Sequence, residues 1–212
     1  MYRYWFDNIK GITPVKKRIL YETFDNAENI YHAPESAIAK TVGIETEDII
    51  AITESRRQWS LEGAWTRLQE KGISLVTLED AEYPEKLKKI VAPPYALYYR
   101  GHLPRKEHKS VAIVGARGRS AYGSQVARAL AKRLAEADVD VISGMALGID
   151  TDGHMGAIDG SGATYAVLGC GVDICYPRSN RFLYEQIPER GGILSEFVPG
   201  TQPLPSLFPQ RN

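Results

Sequence analysis

The sequence predicts an α/β chain: a Rossmann-like, doubly wound, mainly parallel sheet, preceded by a small all-helical module. Three observations carry this expectation. Apolar residues recur at helical spacing through the first third of the chain. From Val111 onward, apolar runs of strand length alternate with amphipathic stretches. Three of those runs end in glycine-rich turns.

In residues 1–72, Ile9, Ile12, Val15, Ile19, Leu20 and Phe24 fall on one helical stripe. Gly11-Ile12-Thr13-Pro14 reads as a helix start, with Thr13 as N-cap and Pro14 in the first turn. A similar unit follows, Ala37 to Ile44 and then Thr46-Glu47-Asp48 leading into Ile49 to Ile52. Two helix–Gly–helix units in tandem predict a bundle of the helix-hairpin-helix or SAM type. Such hairpins can hold DNA phosphates on backbone N–H groups, but this module is acidic, which favours packing or protein contact.

Residues 73–212 then form the expected sheet domain. Ile73 to Leu78 and Ala96 to Gly101 are strand candidates separated by Pro93-Pro94. Val111 to Val114, Val139 to Ile142, Thr164 to Leu168 and Ile193 to Ser195 are the strands of the alternating part. Helices are expected near 124–137, 152–158 and 180–186. The last residues, Pro203 to Asn212, read as a terminal loop without a covering helix. The sheet is therefore expected to be incomplete at its C-terminal side, finished from elsewhere or part of a longer chain.

The 212 residues carry 26 basic and 26 acidic side chains, which excludes a uniformly cationic protein. The neutrality hides a split: residues 1–84 hold 10 Lys and Arg against 14 Asp and Glu, and residues 85–212 hold 16 against 12. Arg100 to Arg133 alone contains nine basic residues and one acid, Glu107. A concentrated basic stretch can bind a polyanion locally; a solvated helix face is the plainer account. No window approaches the roughly 18–20 apolar residues of a membrane helix, and Met1 to Asp7 lacks a signal core, so a cytoplasmic chain is expected. Cys170 and Cys175 are the two cysteines; they are expected as thiols, and neither they nor the four histidines have the spacing of a metal site.

Ligands of open parallel sheets sit beyond the carboxyl ends of the strands. That rim holds Gly115 to Gly123 with Arg117 and Arg119, Ser143 to Asp150 with Gly144, and Gly169 to Pro177. Glycine lets the backbone approach a phosphate, helix N-termini add partial positive charge, and guanidinium groups fork onto phosphate oxygens. The first loop departs from the Gly-x-Gly-x-x-Gly dinucleotide spacing, and no Gly-Lys-Ser/Thr occurs, which argues against NAD and ATP. A sugar–phosphate backbone fits a row of anion-binding turns better. Single strands also call for aromatic platforms; Phe208, just ahead of Arg211 and Asn212, is one candidate, and Tyr176, Arg178 and Arg181 flank the third loop. Asp150, Asp152 and His154 resemble a metal or acid–base cluster. The alternative is that Asp150 caps its helix and His154 packs or hydrogen-bonds within the sheet's edge.

Val111-Ala-Ile-Val-Gly-Ala-Arg117, Ser143-Gly-Met-Ala-Leu-Gly-Ile-Asp150 with His154, Gly169-Cys-Gly-Val-Asp-Ile-Cys-Tyr-Pro177, Ser195-Glu196 and Phe208-Pro-Gln-Arg-Asn212 together resemble the DNA-processing protein A family (DprA, also called Smf). Tyr83-Pro84 and Tyr98 to Gly101 fit the same pattern. The resemblance implies a bacterial protein that binds single-stranded DNA, loads the RecA recombinase onto it in natural transformation, works as a homodimer and acts without cofactor or catalysis. The DNA-binding positions that it implies are Arg117, Arg178, Phe208 and Arg211, with Gly115, Ser143, Gly144 and Gly169 giving close backbone approach. Arg119 and Asn212 complete the candidate set read from the rim. The competing class is a nucleotide-binding or nucleotide-cleaving enzyme on the same fold, for which the Asp150–Asp152–His154 cluster is the one favourable sign.

Overall fold

The computed structural model describes residues 1–211. Six helices come first: α1 (Tyr2–Asp7), α2 (Pro14–Phe24), α3 (Ala27–His32), α4 (Glu35–Ile38), α5 (Thr46–Gln58) and α6 (Leu61–Glu70). Thr13 caps α2, its hydroxyl accepting from the Lys16 amide, with Pro14 in the first turn as expected. Trp5, Phe6, Ile9, Ile12, Leu20, Ile30, Ile38 and Ile52 close a core of their own. Removing such side chains from water, at about 25 cal/mol per Å² of apolar surface, is what holds helices too short to persist alone.

The helical part is fastened to the sheet by polar contacts as well as apolar ones. Tyr98, fully buried on a strand, donates its hydroxyl to Asp7 at 2.7 Å and accepts from the Asn8 amide at 3.1 Å. Lys17 pairs with the same Asp7 at 3.1 Å.

The strands are β1 (Ser74–Thr77), β2 (Ala96–Gly101), β3 (Ser110–Ala112), β4 (Asp140–Ser143), β5 (Thr164–Val167) and β6 (Gly192–Ser195), ordered β1-β2-β6-β5-β4-β3. β3, β4, β5 and β6 are parallel neighbours, whereas β1 and β2 join antiparallel. The connections are α8 (Ala121–Glu136), α9 (Ile149–Asp159) and α10 (Arg181–Arg190); a short α7 (Glu85–Lys88) lies between β1 and β2. Each successive strand is added on the same side of the last. Right-handed crossovers then put all three connecting helices on one face. Ala127, Ala131 and Ala135 of α8 pack there on Val141, and Leu183 and Ile187 of α10 on Ala166 and Ile193. The opposite face presents Leu97, Ile142, Tyr165, Val167 and Leu194 to a groove walled by Pro84 to Leu87, Pro104 to Lys106 and His108.

Several boundaries move from their sequence positions. The ladder of β3 starts one residue early, at Ser110, and continues into Ile113, whose amide bonds Ile142 O. α8 begins three residues early because Ser120 caps it, accepting from the Gly123 amide at 3.0 Å. The terminal loop expectation is corrected: Leu207–Arg211 forms α11, a five-residue helix. Pro209 is tolerated in it because a first-turn N–H has no intrahelical partner to lose.

Candidate nucleic-acid interface

The three loops meet at one rim, beyond the carboxyl ends of β3, β4 and β5. A cavity there is lined by Arg117 of the first loop, Gly144, Ala146 and Leu147 of the second, Gly169, Cys170 and Tyr176 of the third, and Phe208 and Arg211 of α11. Phe208 is the hub. Its ring lies 5.6 Å from that of Tyr176, tilted by 33°. The Arg117 and Arg211 guanidinium groups stand 5.9 and 6.0 Å from its centroid, at the outer range of cation–π attraction. Arg211 also donates to Val167 O at 2.9 Å and Gly144 O at 3.2 Å. Burial lowers the pKa of its guanidinium, and Asp150 works against that.

Gly169 and Gly144 make room for this helix. A Cβ at Gly169 would stand 2.7 Å from Phe208 Cδ1, and one at Gly144 would run into the Arg211 guanidinium. Gly115 lies against Ile149, where a Cβ would meet Cγ1 at 2.8 Å. The Gly144 amide is already taken, donating to Asp150 Oδ2 at 3.1 Å. What the rim offers at its surface is therefore an aromatic platform between two arginines, with backbone N–H groups in a lesser part.

The second loop is held unusually firmly. Met145 is fully buried with φ of +56°, a left-handed conformation that costs a non-glycine residue about 1–3 kcal/mol. Asp150 Oδ2 accepts from the Gly144 and Ala146 amides, Thr151 donates to Ala146 O at 2.8 Å, and Asn180 donates to Met145 O at 2.9 Å. Asp173 ties the third loop in the same manner, taking Lys71 at 2.8 Å and the Gly200 amide at 2.7 Å.

The other candidates fall outside the cavity. Ser143 is buried and donates its hydroxyl to Ile113 O at 2.7 Å, so it braces the sheet below the rim. Arg119 folds back into an ion pair with buried Asp152. Arg178 is exposed on a 3-10 turn, Arg178–Asn180, at the outer side of the third loop. Asn212 lies outside the described residues. Tyr176 and Asn180, by contrast, belong to the site more closely than their sequence positions indicated. Asparagine at a helix start signals a cap, and nothing local reveals a bond made to a loop 35 residues away.

The acidic cluster resolves into separate jobs. Asp150 caps the preceding loop and not its own helix, which corrects the capping expectation. Asp152 is engaged by Arg119. His154 lies fully buried against β5, an inner strand and not the sheet edge, with Nδ1 2.7 Å from Thr164 Oγ1. Among the described residues no group of three or more His, Cys, Asp or Glu side chains could hold a metal ion. Cys170 and Cys175 are free thiols, and burial pushes Cys170 up to about 11. Among the described residues no helix is long and apolar enough to cross a membrane.

Comparison with known proteins bears on the same elements. The model of the family described as DNA recombination-mediator protein A matches residues 74–212. Protein Smf of Synechocystis is 35% identical over 99% of this chain, and DNA processing protein DprA of Streptococcus pneumoniae is 39% identical over 68% of it. The chain spans 54% and 50% of those two proteins, about half their length. The crystal structure of the pneumococcal DNA processing protein A superposes with a TM-score of 0.80 at 29% identity, covering 99% of this chain and 72% of that one. A structure of DNA processing protein A from Helicobacter pylori, concerned with its single-stranded DNA binding mode, gives 0.57 at 29% identity over 66% of this chain and 64% of that one. A Rossmann-like sheet whose glycine-rich rim matches a family model through to Arg211 leaves one assignment: the chain belongs to the DNA recombination-mediator protein A family.

Proposed function

We propose that this chain binds single-stranded DNA at the rim and acts as a recombination mediator, by binding and not by turnover. The observation that carries the reading is the Phe208 ring set against Tyr176 and flanked by Arg117 and Arg211. A stacking platform between cations suits an unpaired base followed by its phosphates, and a duplex cannot offer its base faces there. The Helicobacter pylori relative, described for single-stranded DNA binding, supports the choice of ligand. In this reading residues 1–72 are a helical module, 73–212 carry the DNA site, and Arg178 extends the cationic track past the third loop. Handing the strand to RecA during natural transformation, in the cytoplasm and as a homodimer, is part of the same proposal. The nucleotide-enzyme alternative loses its one support, because Asp150, Asp152 and His154 are each engaged in structural contacts.

A salt series of gel shifts with single- and double-stranded DNA of equal length tests the reading. Single strands are expected to bind tighter, with affinity falling by about 0.7 log units per log unit of salt for each phosphate neutralised. Arg117→Ala is expected to weaken binding about tenfold and to flatten the slope by about 0.7, with little regard for base sequence. Equal affinity for both DNA forms, or an unchanged slope in the variant, would remove the rim as the site.

A further inference from the structure

Both halves of the proposed platform are fastened to the second loop by different side chains. Arg211, on α11, bonds Gly144 O. On the other side, the turn that follows Tyr176 and Pro177 reaches the same loop through Asn180. Its Nδ2 donates to Met145 O at 2.9 Å, Ala146 O at 3.4 Å and Thr151 Oγ1 at 2.9 Å. Asn180 is 3% exposed and does not line the rim cavity. Thr151 passes the bond on to Ala146 O. The loop needs such support, since its centre, Met145, sits left-handed without being glycine.

We propose that Asn180 is a positioning residue of the DNA site, whose amide fixes the second loop and so sets Tyr176 and Arg211 at their mutual spacing around Phe208. It touches no ligand; its effect on binding rests on the single-strand reading above. The requirement is chemical. Two backbone carbonyls converge on Nδ2, so the side chain must donate there, and a group of equal shape that only accepts would be repelled by both.

Asn180→Asp makes that exchange. At pH 8 its carboxylate faces the Met145 and Ala146 oxygens, and single-strand affinity is expected to fall about tenfold. Burial among acceptors raises the pKa of such a carboxyl, and on protonation it regains one donor. The ratio of variant to wild-type affinity is therefore expected to climb back toward one between pH 8 and 5.5. Taking the ratio at each pH cancels the contributions of Asp150, His154, Cys175 and the other charged or titratable neighbours that both proteins share. Amide hydrogen exchange at residues 144–147 is expected to quicken in the variant at pH 8. Thr151→Val, a shape-conserving change at the far end of the bond, is expected to show a smaller loss with no pH dependence, and it serves if the aspartate variant fails to fold.

A single-strand affinity unchanged at pH 8, or a loss that is the same at every pH, would overturn the positioning role; for Thr151→Val, unchanged affinity together with unchanged exchange would do so. A wild-type chain that binds no single-stranded DNA would instead overturn the reading on which the role rests. The exchange measurement would then still judge the tie, and unchanged exchange at 144–147 in the variant would overturn that as well.

Discussion

Gly169→Leu is expected to abolish most single-strand binding while leaving the sheet intact. Gly169 follows β5 without adopting a left-handed φ, so the backbone itself tolerates a side chain. The obstacle is Phe208, whose Cδ1 and Cε1 lie 2.7 and 3.0 Å from where a Cβ would stand. α11 is five residues long, and it has less to hold it than the strand has. The helix therefore yields, carrying Phe208 off Tyr176 and Arg211 off the Val167 and Gly144 carbonyls. One stacking platform contributes about 1–3 kcal/mol and one charged hydrogen bond about 1.5–3 kcal/mol, which together predict binding weaker by about a hundredfold or more. Phe208→Ala should reproduce most of that loss. Combining the two substitutions should add little to either, because both act on the same ring. Wild-type affinity in Gly169→Leu, or full additivity of the pair, would show that Phe208 is not the platform.

That prediction also marks where the sequence was legible and where it was not. Three of the four parallel strands could be read because each is an apolar run followed by a glycine-rich turn, a pattern that is local in the chain. The convergence of the three loops followed from topology, since successive parallel strands end at one rim. What the glycines are for could not be read. Gly144 and Gly169 would look the same in the chain whether they admitted a phosphate or an aromatic ring. Only the positions of Phe208 against Gly169 and of Arg211 against Gly144, far along the chain and outside the sheet, separate the two. Ser143 as a buried brace and Arg119 as an ion-pair partner were hidden for a similar reason. Serine at a strand end and arginine in a loop have several partners open to them, and Ile113 O and Asp152 become available only after the chain has folded. Asn180 is the extreme case, a short polar side chain whose three acceptors all lie on distant segments.

His154, once released from any catalytic part, carries the largest expected effect on stability. Thr164 Oγ1 has a single proton, and it is used on Val141 O at 2.8 Å. The threonine must then accept from His154 Nδ1–H, which fixes the tautomer and leaves Nε2 as a bare acceptor; that atom is buried with no partner among the described residues. A proton added there would create a fully buried cation, and burial accordingly lowers the pKa from 6.5 to about 3. The folded-state pKa is the depressed one, so below 6.5 the unfolded chain binds the extra proton and the folded chain does not. The stabilisation is complete above pH 6.5 and is lost as pH falls toward 3, at about 1.4 kcal/mol per pH unit. Denaturant melts at pH 7 and pH 5 should therefore differ by about 2 kcal/mol from this residue alone. His154→Leu removes the titrating group and the orphaned acceptor together, while Thr164 keeps its bond to Val141. The variant is expected to lose that slope between pH 6.5 and 5, and an undiminished slope would show that His154 is not the source of the proton uptake.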